Sequence, residues 1–292
     1  MKHVPVLLNE AIEYLNINDK ENIIDATLDG GGHTLAILDR FPKVKVLGIE
    51  FDPALFKSLQ LNNERLTKVN DSYVNLKNIV KEQKFEPDGI LFDLGLSSWH
   101  YEESGRGFSF KRNEILDMRF NPEVQSESAA DIVNKYSEDD LRETLSSFGE
   151  EQFAENIAKN IIRARREKPI VMTDELVNVI SRSVPEWYKH RKIHFATKTF
   201  QALRVKVNDE LGNVRKGVQA AIDILKPGGR LVVISFQGSE DKIVKEIFKE
   251  KAKEGVIEFV IKGTKRPSWE EQKSNPRSRS AKMKVIQKSL KS

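Results

Sequence analysis

Five residues in a row, Asp29-Gly30-Gly31-Gly32-His33, combine a carboxylate, three side-chain-free positions and an imidazole. They follow a short apolar run at 22–27 and precede a helical pattern at 34–41. Glycines in such a turn let backbone amides come close to a ligand and place it at a helix N-terminus. A second apolar run, 44–50, ends on Glu50, 18 residues after Gly32. A carboxylate in that place can accept both ribose hydroxyls of a nucleoside cofactor.

Two cofactor classes suit this pattern. A dinucleotide needs amides for its pyrophosphate and usually shows G-x-G-x-x-G, which the sequence lacks. S-adenosylmethionine carries an ammonium, a carboxylate and a sulfonium but no phosphate. It tolerates a looser glycine turn with polar flanks such as Asp25, Asp29 and His33. An ordinary tight turn with no ligand accounts for three glycines alone, though less well once Glu50 is added. The stretch Leu225-Lys226-Pro227-Gly228-Gly229-Arg230-Leu231, ahead of a late apolar run, also resembles class I methyltransferases. The five histidines, His3, His33, His100, His190 and His194, are scattered, so no metal-ligand spacing is evident.

The elements that position these residues follow from periodicity. Strand, glycine turn, helix and strand over 22–50 make a βαβ unit. Pro53 suits the first turn of a helix over 53–62. A strand at 68–70, a helix at 74–82 and a buried strand at 88–94 continue an alternation that predicts a parallel sheet covered on both faces. From about 104 to 199 only helical patterns occur, at 138–148, 152–166 and 173–184, with Thr173 read as the N-cap of the last. A helix at 209–225, a strand at 230–236, a helix at 239–251 and strands at 256–261 and 282–287 complete the chain. The expectation is an α/β domain, 1–103 with 200–292, interrupted by an inserted all-helical domain at 104–199.

Composition sets limits. The 292 residues are 39% hydrophobic and 32% charged, enough for a packed core. With no cysteine there is no disulfide and no thiolate chemistry. The apolar run at 1–8 is too short for a signal peptide or a membrane span, so a cytoplasmic protein is expected. Residues 262–292 hold ten Lys/Arg against Glu270 and Glu271, within a chain whose net charge is only +4. Concentrated basic charge suits phosphate contact, and a solvated terminus reads equally well.

Longer stretches carry a specific resemblance. They include His3-Val4-Pro5-Val6-Leu7-Leu8-Asn9-Glu10, Asp88 through Ser98 (DGILFDLGLSS), Arg106-Gly107-Phe108-Ser109-Phe110 and Leu116-Asp117-Met118-Arg119. Ala196 through Arg204 (ATKTFQALR), Ser235-Phe236 with Glu240-Asp241, and Asn275 through Lys282 (NPRSRSAK) follow. In order and extent they resemble the bacterial 16S rRNA cytidine N4-methyltransferases. The resemblance implies a class I (Rossmann-like) S-adenosylmethionine methyltransferase sheet with a helical insertion, and methyl transfer to rRNA of the small ribosomal subunit.

By position, the resemblance implies cofactor contacts at Gly31, Gly32, His33, Glu50, Tyr73, Asp93 and His100. Tyr73 offers a flat face to adenine. Asp93 ends a buried strand on the side where α/β sheets bind ligands. Asp93 and Ser97, with Ser98 beside them, are the candidates for holding the substrate amine. Lys198, Arg204, Arg277 and Arg279 are the candidate rRNA contacts. Trp99, Phe108 and Phe110 offer rings to an unstacked base, with core packing the competing role. Arg163, Arg165 and Arg166 suit a helix C-terminus. The sequence departs from the family's pattern at Asp29 (usually Gly), Glu50 (Asp), His100 (Gln), Phe195 (Pro) and Gln237-Gly238-Ser239 (His-Ser-Leu). A non-catalytic ribosome-binding factor and a nucleotide-dependent oxidoreductase are the other readings. The oligomeric state, monomer or homodimer, is left open.

Overall fold

The computed structural model describes residues 5–17 and 22–290. His3 and Val4 of the first family stretch and Lys291 of the basic tail lie outside the described residues. Adjacent residues on each strand go to opposite cores. Ile23, Val46, Leu91 and Val232 pack on one face with Leu15, Ile37 and Met283. Ile24, Leu47, Ile90 and Val233 pack on the other with Val218 and Phe248. This period of two, apolar on both sides, marks strands buried beneath helices on each face.

Seven strands result: β1 (Asn22–Asp25), β2 (Lys45–Glu50), β3 (Leu66–Asn70), β4 (Gly89–Asp93), β5 (Arg230–Ser235), β6 (Ile257–Phe259) and β7 (Lys282–Lys288). They lie in the order β3-β2-β1-β4-β5-β7-β6. The first five pair in parallel. β7 runs antiparallel to both β5 and β6, so the sheet is not purely parallel. The order turns back between β1 and β4, and ligands of such sheets bind outside the carboxyl ends of the strands at that switch point. Three of the strands there end on acids: β1 on Asp25, β2 on Glu50 and β4 on Asp93.

Two compact units are present. Residues 1–97 with 211–292 form the α/β unit, and Ser98–Glu210 form the helical one. Within the latter, helix Glu138–Gly149 packs on Thr197–Val207 and on Ala154–Glu167, which in turn meets Thr173–Ser183. Leu141, Leu145, Ile157, Ile161, Leu176 and Ile180 are buried at helical spacing. At Gly149 a Cβ would stand 2.4 Å from the Lys198 carbonyl oxygen, so the crossing of those two helices requires glycine.

Two local expectations are corrected. Thr173 is the first residue of its helix, and Met172 is the N-cap. The Thr173 hydroxyl instead donates to the Arg112 carbonyl and accepts the Glu114 amide, while Glu175 accepts the Met172 amide. The helix expected over 53–62 stops at Ser58. Its N-cap is Asp52, which accepts the amides of Ala54 and Leu55. Beyond Ser58 the chain lets the side chain of Leu61 lie over Gly31.

Candidate active site

The glycine turn is built for close approach. Gly31 has φ 75° and caps helix Gly32–Arg40. A Cβ there would stand 2.5 Å from Leu61, and one on Gly32 would stand 2.3 Å from Pro5. The left-handed turn asks for glycine at 31, and the Pro5 ring asks for it at 32. Asp29 also lies in the left-handed region, φ 45°, which Asp visits less freely than Gly. Its amide donates to Glu50 Oε2 at 3.1 Å, and the Asp52 amide donates to Glu50 Oε1 at 2.7 Å. Glu50 thus clamps the turn to the end of β2.

Asp25, at the end of β1, accepts the Thr34 hydroxyl at 2.7 Å and the Thr27 amide at 3.3 Å. Burial pushes its carboxyl up to about 7, against the pull of those two donors. Burial also raises Glu50, and it raises Asp29 with help from the neighbouring Glu50, Asp93 and Asp25 charges. Asp93 is pushed up by burial and then by Asp25, Glu240 and Glu271. Four carboxyls crowded out of water make a region that welcomes a cation.

Asp93 is 8% exposed, and its Oδ1 is buried with no hydrogen-bond partner. Its amide donates to Thr27 Oγ1 at 2.7 Å, which fixes the end of β4 against the residues following β1. Oδ2 faces His33 Nδ1 at 3.7 Å, beyond hydrogen-bond length but within ion-pair range. His33 Nε2 lies 3.2 Å from the Val6 carbonyl. A carbonyl only accepts, so Nε2 carries a proton there. The Leu7 amide, one residue on, donates to Glu271 Oε1 at 2.8 Å. The N-terminal strap that holds His33 is thus held in turn by helix Trp269–Ser274.

Tyr73 sits half-buried, edge-on to Phe92 with ring centroids 5.4 Å apart. Gly217 makes room for it, since a Cβ there would come within 2.4 Å of the ring. Ser97, the last residue before the helical unit, is buried. After β5, Glu240 accepts the amides of Phe236 and Gln237 and so begins helix Gly238–Lys253. Asp241 pairs with Lys282 and Lys284 of β7. Gln237 keeps the N-cap place whatever its own side chain does.

In the helical unit, His100 is buried among rings. It stands edge-on to Phe108 and Phe120, each at 5.1 Å, with Trp99 at 5.5 Å. These contacts give it a packing role. Arg106 donates to the carbonyls of Arg119 and Phe120, and Arg119 forks onto Asp117. The family stretches at 106–110 and 116–119 therefore brace each other. Arg204 needs correction as an RNA contact. It is 9% exposed and bidentate on Glu210, with N–O distances of 2.6 and 2.9 Å, so its charge is spent inside the protein. Lys198 donates to the Glu150 carbonyl. Arg277 and Arg279 are exposed on a short 3-10 turn, Pro276–Ser280. Thr27, Thr34 and Glu240 belong to the site and were not anticipated. In the sequence, Glu240 stands only within a family stretch, and Thr27 and Thr34 carry no signal beyond lying just after β1 and in the first turn of the helix that follows it.

The sheet order, the acid-ended strands and the glycine turn define a class I methyltransferase fold with an inserted helical unit. Residues 1–289 match the MraW methylase family, and the chain belongs to it. A ribosomal RNA small subunit methyltransferase H from Elusimicrobium minutum is 43% identical over 98% of each chain. Another, from Thermosipho melanesiensis, is 42% identical, again over 98% of each. Among solved structures, a putative methyltransferase from Streptococcus mutans in complex with SAH aligns over 98% of this chain and 99% of that one. Its TM-score is 0.46 and its identity 12%.

Proposed function

We propose that the chain methylates the N4 exocyclic amine of a cytidine in 16S rRNA of the small ribosomal subunit, in the decoding region, using S-adenosylmethionine. The observation that carries this reading is the unpartnered Oδ1 of Asp93, buried at the sheet's switch point beside the glycine turn. The relatives' names supply the substrate, and the acid-rich strand ends supply the fit to a cationic cofactor.

The Gly31 amide is taken by the Leu28 carbonyl, so the Gly32 amide, at the N-terminus of a nine-residue helix, is the one that suits the cofactor's carboxylate. Asp29 suits its ammonium, Glu50 the ribose and Tyr73 the adenine. When bound, S-adenosylmethionine supplies a methyl group activated by the sulfonium. An exocyclic cytosine amine is a weak nucleophile because its lone pair is delocalised into the ring. Asp93 Oδ1 accepts an N–H of that amine, which favours the tetrahedral nitrogen and orients it for in-line attack. Ser97 steadies the loop beyond Asp93. His33, anchored through Nε2 on the Val6 carbonyl, stands with Nδ1 3.7 Å from the other carboxyl oxygen. Positioning does most of the work. Arg277, Arg279 and Lys198 contact rRNA phosphates, and the helical unit takes part in substrate recognition.

The test is methyl transfer from labelled S-adenosylmethionine to small subunits that lack the modification, with mass spectrometry of the digested nucleosides. N4-methylcytidine is the expected product. Cofactor binding with no transfer to any small-subunit preparation would remove this reading.

A further inference from the structure

Two segments of the helical unit that lie far apart in sequence meet through one ring contact. His194 stacks on Phe110 with centroids 4.5 Å apart and planes 16° apart, and its neighbour Phe195 stacks on it from 4.2 Å. Phe110 leads into Lys111 and Arg112, both exposed. His194 ends the run Trp187 to His194 (WYKHRKIH), which holds three Lys/Arg and no acid. Of the adjoining carboxylates, Glu186 is engaged by Lys189 and His190, and the buried Glu151 accepts the Tyr188 hydroxyl. That leaves Arg191 and Lys192 exposed beside apolar surface that is also exposed: Trp187 at 59% and Ile193 at 55%. The Arg191 guanidinium lies 4.8 Å over the Tyr188 ring, and Trp187 stands edge-on to both Tyr188 and Phe153.

Exposed rings interleaved with unneutralised cations are the chemistry of single-stranded nucleic acid binding. Bases stack on the rings and phosphates meet the cations. A plain solvated face does not need an indole and an isoleucine in water, and Lys111, Arg112, Arg191 and Lys192 are exposed with no acid in either segment. His194 contributes a ring and no charge, because partial burial lowers its imidazole below the usual range.

We propose that Phe110–Arg112 and Trp187–His194 form a contact surface for single-stranded RNA, engaging substrate strand outside the methylated nucleotide. The inference rests on the rRNA reading above and gives the helical unit a specific part in it. Stacking tolerates any base, so this surface supplies affinity and register while sequence choice lies elsewhere.

The experiment compares wild type with Arg191→Glu/Lys192→Glu and, separately, Trp187→Ala. The readouts are binding of a fluorescent single-stranded oligoribonucleotide across a salt series, KM and kcat on unmodified small subunits, and calorimetric S-adenosylmethionine affinity. All three side chains are exposed, and a thermal melt checks the fold. The expected result for the charge reversal is RNA affinity at least tenfold weaker, with a salt slope shallower by roughly 0.7 for each phosphate no longer neutralised. KM rises in step, while kcat and cofactor affinity stay within twofold. Trp187→Ala weakens RNA binding with an unchanged salt slope. RNA affinity and slope equal to wild type in both variants would overturn the proposal. So would loss of binding to phosphatidylserine vesicles with RNA binding untouched, which would make the face a membrane contact. Failure of wild type to methylate small subunits tells against the proposed reaction, whereas the oligoribonucleotide arm still decides this surface.

Discussion

The backbone amide of Asp29 is bonded to Glu50 Oε2, which ties the glycine turn to a strand end 21 residues further along the chain. Glu50 is one methylene longer than an aspartate would be. The extra methylene of Glu50 carries its carboxylate to the turn, and that bond holds Asp29 in a left-handed conformation that Gly would adopt unaided.

The two positions should act as a unit. Glu50→Asp alone is expected to lower S-adenosylmethionine affinity about tenfold, since bonds to a charged acceptor contribute about 1.5–3 kcal/mol. Adding Asp29→Gly should restore most of it. Isothermal titration of the two single variants and the double variant measures the coupling, and strictly additive effects would mean that the pair is independent.

Asp93→Asn keeps the shape of the side chain but alters its hydrogen-bonding pattern at the amine. Turnover is expected to fall at least a hundredfold, far more than S-adenosylmethionine affinity, with the melting temperature nearly unchanged. Because burial raises the Asp93 carboxyl, wild-type kcat should fall as pH drops through that raised pKa. A flat pH profile, or an Asn variant with wild-type turnover, would take Asp93 out of the reaction.

Asp25 makes a prediction about stability. Its folded-state carboxyl lies at about 7, against 3.8 for the free side chain. The native state thus holds this proton more tightly than the unfolded chain does. The stabilisation is fully present below about pH 4 and is lost as pH rises through 7. Asp25→Asn, which cannot ionise, should flatten that part of the stability curve in the cofactor-free protein. Chemical denaturation between pH 5 and 8 would show it, and parallel curves for the two proteins would count against the assignment.

Arg204 and the tail arginines should separate cleanly. Arg204→Ala strands the buried carboxylate of Glu210, so a loss of about 3 kcal/mol in stability is expected. Arg277→Ala/Arg279→Ala should leave stability alone, weaken RNA binding and make its salt dependence shallower. Denaturant melts beside salt-titrated RNA binding distinguish the two roles. An Arg204→Ala protein with wild-type stability and weakened RNA binding would reverse them.

Local pattern made much of this legible. Apolar runs ending on Glu50 and Asp93, and glycines between a strand and a helix, pointed to one end of the sheet, because strand ends and turns are encoded by neighbouring residues. The structure gathers Asp29, His33, Glu50 and Asp93 there. What escaped was encoded at a distance. The place of β7 between β5 and β6 depends on pairings with strands earlier in the chain, which charge and periodicity do not reveal. Arg204 looked like a surface cation because its partner is brought round by a turn at Asn208-Asp209, with Asp209 at φ 45°. His100 carries a ligand's chemistry, yet three rings from its own unit enclose it.

The bond from Leu7 to Glu271 spans 264 residues of chain. The strand made last, β7, is also the one that pairs with both β5 and β6. A chain still being synthesised thus has neither the brace behind His33 nor a covered edge on β5 until residues 271–288 have emerged. A product cut short before residue 271 would carry every residue assigned to the cofactor and still lack the clasp that sets them. It would also expose the edge of a hydrophobic strand, the kind of surface by which incomplete proteins are caught and removed. The wiring of Leu7 to Glu271 and of β5 to β7 thus makes the methyl-transfer site wait on segments synthesised long after its own residues.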